Sequence, residues 1–262
     1  LMKIIVFIKQ VPDTNELRID PETGNLIREG VPSIVNPEDK HAVEAAVVIK
    51  EKHGGKITVV TMGPSQAEEA LRECLAMGAD EAILLSDRAF SGADTAATSY
   101  TLGIAARKIG EFDLILCGRE ALDGNTAQVG PQLAEFLELP QATYVQAVEV
   151  NGDTLKVKRA LEDGYEVLET KLPALLTITK DINVPRTPAI DAVMDAYQKE
   201  IVTWTADDLP VDGGKIGLKG SPTRIRKAYT PELKGGWVEM IDGALDKAVQ
   251  TLVARLREKQ LV

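Results

Sequence analysis

Apolar and polar positions along the first half of the chain switch repeatedly between two periods. The run "KIIVFI" (3–8) is continuously apolar and β-branched, the pattern of a strand covered on both faces. Residues 37–54, "PEDKHAVEAAVVIKEKHG", predict a helix: Pro37 suits its first turn, Glu38 and Asp39 its positive end, and Gly54 its exit. The alternation then repeats. "KITVVTMG" (56–63), "EAILLSD" (81–87) and "DLILCG" (113–118) predict strands; "SQAEEALRECLAMG" (65–78), "DTAATSYTLGIAARKIG" (94–110) and "TAQVGPQLAEFLEL" (126–139) predict helices. Ser65 is placed to cap the second helix, with Glu68 at capping-box spacing. Strands separated by helices of this length imply β-α-β units, an α/β fold with a doubly wound, mostly parallel sheet, and ligands beyond the C-terminal strand ends.

The texture changes after Pro140. "VEV", the turn "NGD" and "TLKVKR" predict a hairpin, and "YEVLE" and "ALLTIT" continue the strand pattern, read as antiparallel additions to one sheet edge. Residues 181–235 carry five prolines (185, 188, 210, 222 and 231) and little periodicity, so they are expected to form an extended arm. In 244–259, Leu245, Ala248, Val249, Leu252, Val253 and Leu256 share one helical face. The expected organisation is an α/β domain over 1–180, an arm over 181–235 and an amphipathic helix over 236–262; the arm and helix either pack on this chain or, as the length of the arm favours, embrace a partner subunit.

Composition narrows the function classes. A net charge of −10 argues against nucleic acid or an anionic membrane as the main partner. No apolar run approaches the roughly 20 residues of a membrane span, and the first apolar run is too short for a signal peptide. Leu1, ahead of Met2, is expected to lie outside the natural chain. Cys74 and Cys117 are far apart without motif spacing, so a reducing, cytoplasmic setting is expected and no disulfide or metal site. His41 and His53, the only histidines, lack motif neighbours, and no nucleophile elbow, P-loop or zinc motif is present. Cys117 ends a buried strand and reads as packing. Without evident side-chain chemistry, any reaction belongs to a cofactor.

Four strand ends remain as candidates. "KQVPDT" (9–14) follows the first; "NP" (36–37), "MGPS" (62–65), "GADTAATS" (92–99) and "DGNTAQVG" (123–130) precede helices. Small residues and hydroxyls at helix N-termini leave N–H groups accessible to an anion. The same residues serve as ordinary caps: Asp94 or Thr95 for the third helix, Asn125 or Thr126 for the fourth. Their convergence on one sheet edge points to an adenine nucleotide, and the pattern alone goes no further.

Five further stretches carry a family resemblance: "IKQVPDT" (8–14), "NPED" (36–39), "LAMGAD" (75–80), "GADTAATS" and "CGREALDGNTAQVGPQLAEFLELPQ" (117–141). With "VKRALEDGYEVLETKLPALLTIT" (157–179), they make the chain similar over nearly its whole length to the β (small) subunits of electron-transfer flavoproteins. The resemblance implies a Rossmann-like nucleotide-binding domain paired with an FAD-carrying α subunit. It implies cofactor contacts from Phe7, Ile8 and Lys9; from Asn36 and Asp39; from Met62 and Gly63; from Asp94, Thr95, Ala97 and Thr98; from Cys117 and Gly118; and from Asp123, Gly124, Asn125, Thr126, Ala127, Gln128, Val129, Gly130 and Pro131.

Housekeeping members hold AMP in this loop; electron-bifurcating members hold a second FAD that exchanges a hydride with NAD(H) and divides electrons between ferredoxin or flavodoxin and a flavin dehydrogenase. "DGNTAQVGP", "GADTAATS" and Thr14 resemble the bifurcating pattern, with the second helix N-terminus at Asp94–Thr98 expected to serve the extra phosphate and Lys9, Gln10 and Asp13 the flavin ring's polar edge, Lys9 equally suiting a surface ion pair. Ile190 and Met194 are implied in partner docking. Asp191, Asp195 and Tyr197 depart from the family's lysine-rich run, which puts an acyl-CoA dehydrogenase partner in doubt and admits one acting on a 2-hydroxy acid. The alternatives are an AMP-holding electron carrier and an unrelated adenine-nucleotide-sensing module.

Overall fold

The computed structural model describes residues 1–13, 32–224, 226, 238 and 240–262. Thr14 and most of 225–237, including Pro231, lie outside the described residues. The chain divides into two compact units, Leu1–Lys227 and Ala228–Val262.

In chain order the first unit contains β1 (Met2–Phe7), β2 (Gln10–Pro12), β3 (Ser33–Val35), α1 (Pro37–His53), β4 (Gly55–Met62), α2 (Glu68–Met77), β5 (Glu81–Leu85), α3 (Thr95–Ile109), β6 (Leu114–Gly118) and α4 (Val129–Leu137). It continues with β7 (Gln141–Asn151), β8 (Thr154–Leu161), β9 (Gly164–Lys171), β10 (Ala174–Ile178), α5 (Ile190–Gln198), β11 (Ile201–Trp204) and α6 (Gly217–Gly220). The second unit contains α7 (Leu245–Glu258). Nine strands form one sheet in the order β11-β5-β4-β1-β6-β10-β7-β8-β9.

The continuous apolar run of β1 is buried on both faces, as its pattern predicts. Ile4 and Val6 join the core under α1 and α2; Ile5 and Phe7 join a second core under α3 and α4. All five residues of β10 are likewise buried. This strand corrects the expectation that "ALLTIT" is an antiparallel edge addition: it is inserted between β6 and β7 and runs parallel to both. The antiparallel additions are β8 and β9, beyond β7. A run buried at every position, Thr177 included, requires cover on both faces, which an edge strand does not have.

Three further expectations change. Ser65–Ala67 form a 3₁₀ turn and α2 starts only at Glu68, with no side-chain cap at Pro64 or Ala67, so the capping box is not made. The fourth helix starts at Val129 rather than 126, because Asn125 and Ala127 have left-handed φ of 45° and 53°. The stretch after 181 has more regular structure than its prolines suggest. β11 extends the sheet parallel to β5, α5 packs on α2, and Leu209 and Ile216 enter the second core. Arg186 grips Glu44 of α1 at 2.9 Å and Glu51 at 2.6 Å.

Candidate functional site

The strand order places β4 and β5 on one side of β1 and β6 on the other. α1 and α2 cover one face of this sheet, α3 and α4 the opposite face. The order therefore reverses between β1 and β6, and in such sheets the ligand crevice opens at that point, beyond the C-terminal strand ends.

Asp39, in the first turn of α1, sits there. Its carboxylate accepts the backbone N–H of Lys9 at 2.7 Å and that of Gly118 at 2.8 Å, tying the two strand ends together. A Cβ on Gly118 would lie 2.4 Å from Asp39 Oδ1, so glycine is required for this approach. Burial pushes the Asp39 carboxyl up to about 7 against the pull of those N–H donors.

The rest of "NPED" suspends the loop after β6. Buried Asn36 accepts the Leu122 N–H at 3.0 Å and donates to the Glu120 carbonyl at 2.9 Å. Glu38 accepts the Glu120 N–H at 3.1 Å and pairs with Arg119 at 3.2 Å. Lys9 Nζ meets both Asp123 oxygens at 2.7 and 2.8 Å. Lys9 thus holds the loop to the end of β1, the pairing that its charge also allows. Glu38 and Arg119 were missed by the sequence reading. Glu38 is indistinguishable there from a helix-dipole charge, and Arg119 carries no motif.

Beyond Asp123 the loop opens. Gly124 has no heavy atom within 4 Å of a Cβ position. Asn125 and Ala127 turn the chain through left-handed conformations, so Thr126 and Asn125 cap nothing, and Gln128, preceding α4, makes no side-chain cap. The first N–H groups of α4 therefore have neither an intrahelical acceptor nor a capping side chain from Gln128. Pro131 contributes no N–H within that first turn. Gly130 lets α4 press onto the sheet: its Cβ would lie 2.5 Å from Thr177 Cγ2 and 3.1 Å from Cys117 Sγ.

The start of α3 comes to the same place. Thr95 Oγ1 donates to Gln128 Oε1 at 3.1 Å, and Ser99 Oγ donates to the Val129 carbonyl at 3.1 Å. Its N–H groups are differently employed, however. Asp94 Oδ1 accepts from Ala96 and Ala97, both at 3.0 Å, which is the cap expected of it. What α3 leaves for a ligand is the Thr95 N–H and the Thr98 hydroxyl, fewer donors than its sequence suggests.

The structure thus brings Lys9, Asn36, Asp39, Gly118 and 123–131 together with 94–98 at one edge. Phe7, Ile8 and Ala97 lie there too, but buried, so they present main chain rather than side chain. Met62 and Gly63 line a neighbouring crevice with Gln10 and Gln66. The Cys117 thiol is buried, and burial pushes it far above its ordinary value, in keeping with a packing role. Ile190 and Met194, 83% and 67% exposed, stand away from this edge on α5.

Residues 23–209 match the model of the electron transfer flavoprotein domain. The chain belongs to the electron transfer flavoprotein family, among its β subunits. It is 58% identical, over the full length of both chains, to the electron transfer flavoprotein subunit beta of Thermoanaerobacterium thermosaccharolyticum. It is 51% identical, again over the full length of both, to subunit CarD of the caffeyl-CoA reductase-Etf complex of Acetobacterium woodii. To the acryloyl-CoA reductase electron transfer subunit gamma of Anaerotignum propionicum the identity is 43%, with complete coverage of both. Electron transfer flavoproteins are flavin-associated carriers. Among the described residues no helix is long and apolar enough to cross a membrane.

Proposed function

We propose that this chain is the β subunit of a heterodimeric electron transfer flavoprotein whose crevice between β1 and β6 holds FAD. The observation that carries the reading is the uncapped start of α4 at the reversal of strand order, reached from α3 by Thr95. Main-chain N–H groups of 129 and 130, an unobstructed Gly124 and the hydroxyls of Thr98 and Thr126 form a donor set suited to phosphate and ribose. The protein's own task is to bind and orient; bound FAD would supply hydride exchange with NAD(H). Electrons would then divide between ferredoxin or flavodoxin and a flavin dehydrogenase. The two reductase-linked relatives support this class of partner. The setting is the cytoplasm.

The α subunit is the expected neighbour of α7. Leu245, Val249, Leu252 and Val253 of that helix are exposed within this chain. Burying such side chains contributes on the order of 1.5–3 kcal/mol each when complete. Ile190 and Met194 on α5 are proposed for docking the dehydrogenase, whose type, acyl-CoA or 2-hydroxy-acid, their acidic neighbours Asp191 and Asp195 leave open.

One observation favours AMP instead: Asp94 occupies two α3 N–H groups that a second phosphate would use. Nucleotide extraction from the purified αβ complex decides. Two FAD per αβ pair are expected, with NADH-driven ferredoxin reduction that depends on the dehydrogenase's oxidising substrate. One FAD and one AMP per pair would make this an electron carrier without bifurcation.

A further inference from the structure

Helix α5 is built inside out. It packs on α2, and at helical spacing its residues divide into two faces. Ala192 and Ala196 turn to the protein, Ala196 fully buried, while Ile190, Val193, Met194 and Tyr197 form a ridge exposed to solvent. A helix serving only its own chain's core would put its large apolar side chains inward. The ridge is also held at both ends. Arg72 of α2 donates to the Ala196 carbonyl at 2.7 Å and to the Lys199 carbonyl at 2.6 Å, closing the C-terminal end. The Tyr197 hydroxyl donates to Glu69 of α2 at 2.8 Å. Upstream, Arg186 is locked to Glu44 and Glu51 of α1; downstream, β11 pairs with β5. The ridge is therefore ordered before any partner arrives, and docking on it costs little further freedom.

Its border is acidic. Asp191 and Asp195, one turn apart and both exposed, run along one side, and exposed Glu69 stands beside Tyr197. Cations close to the helix are spent inward or paired. Arg72 serves the α5 carbonyls and Glu68, Lys199 Nζ donates to the Ala79 carbonyl at 2.9 Å, and Lys40 pairs with Glu73 at 2.6 Å. A second copy of this chain suits the ridge poorly, because a two-fold contact would set these carboxylates against themselves. The same charges repel an anionic membrane or nucleic acid. What fits is a protein surface with an apolar socket for Ile190 and Met194, edged by lysine or arginine side chains.

We propose that α5 is a charge-selective docking ridge, on which Asp191 and Asp195 are specificity-determining residues that choose, among flavin dehydrogenases, one whose docking surface is cationic. Ile190 and Met194 are the anchors between which that choice is made. The inference rests on the dehydrogenase reading above, and not on which nucleotide the crevice between β1 and β6 holds. Rim carboxylates act chiefly on the rate of encounter and its salt dependence, whereas buried apolar anchors act on the lifetime of the complex. A dehydrogenase with an acidic docking surface meets like charge here and is turned away.

The test uses the reduced αβ complex with acyl-CoA and 2-hydroxy-acid dehydrogenases purified from the same organism, and reads the KM for whichever accepts electrons, across a series of sodium chloride concentrations. For the wild type, KM should rise on the order of tenfold from low to high salt. Asp191→Asn combined with Asp195→Asn should raise the low-salt KM about five- to tenfold and flatten the salt dependence, the loss falling in the association rate. Met194→Ala should also raise KM but keep the salt slope. A wild-type KM indifferent to salt, or one unmoved by the paired asparagine substitution, would overturn the proposal. So would asparagine variants that dock the dehydrogenase normally but weaken the αβ pair, or that abolish a dimer of αβ pairs on gel filtration, because the occupant would then be the α subunit or a second copy. If neither dehydrogenase takes electrons from the wild-type complex, the dehydrogenase reading fails first and takes the proposal with it, an outcome seen before any variant is made.

Discussion

The starts of α3 and α4 lie side by side, follow neighbouring stretches rich in small residues and hydroxyls, and read alike as anion sites. They differ in one carboxylate. At α3, Asp94 takes two helix N–H groups and presents negative charge. At α4, Gln128 makes no cap and its side chain turns to Thr95 instead. The first arrangement spends a helix N-terminus on internal fastening; the second leaves it for a ligand. Small polar residues before a helix therefore do not reveal whether its donors are free. That depends on whether a carboxylate is positioned to reach back onto them.

The largest effect is expected from closing the open start sterically. Gly130→Val places branched carbon where Thr177 Cγ2 already lies 2.5 Å from a Cβ, forcing α4 off the sheet. Overpacking of this kind costs about 1–3 kcal/mol. The purified complex should lose its nucleotide and melt several degrees lower; retention of full nucleotide content would refute the placement. Opening the closed start comes next. Asp94→Ala should cost about 0.5–2 kcal/mol in denaturant melts, the usual value of a lost cap. Because the Asp94 carboxyl is held below its ordinary value, the stabilisation it contributes is present above about pH 4 and is lost as the pH falls through the lowered value. The wild-type-minus-D94A difference should therefore shrink on acidification, and a difference that grew would contradict the cap.

Asp39 sharpens the contrast from below the loop. It too accepts two N–H groups, yet burial dominates and raises it from 3.8 to about 7. A raised carboxyl favours its protonated form in the folded protein, so this group's contribution to stability falls as pH rises from about 4 to about 7. Asp39→Asn should flatten that segment of the stability profile, while pointing an amide at one N–H donor and loosening the 118–123 loop. An unchanged profile would mean that Asp39 does not titrate there. The smallest effect is expected from Thr95→Val, which removes one of the hydrogen bonds joining the two helix starts, at a partly exposed position, and leaves that of Ser99 to Val129 in place. On the order of 0.5–1 kcal/mol is at stake, a few-fold weaker nucleotide binding in titrations of the stripped complex. A loss of a hundredfold would make Thr95 a principal ligand instead.

Much of the fold was legible. The strands at 3–8, 56–63, 81–87 and 113–118 and the four helices between them and up to 139 carried their own period, whereas the three-residue β2 and β3 were too short to show one; the apolar continuity of β1 correctly signalled two-sided burial, because burial pattern is written residue by residue. β10's place and direction were not legible, since a five-residue mostly apolar run looks the same whichever strands flank it and whichever way they point. α5 and β11 were overlooked because nine and four residues among prolines give too short a window for a period to show.

At the site, the sequence by itself determined which residues could meet at the strand ends, and the resemblance assigned them to a nucleotide. Only the tertiary structure decided what each does there. Asp39 reaches Gly118 across 79 positions, Lys9 reaches Asp123 across 114, and Asp94 reaches Thr223 across 129. A local pattern reports propensity and burial over a turn or a strand. Whether a helix N–H remains free is set by a partner brought from far along the chain, and only the assembled sheet brings it.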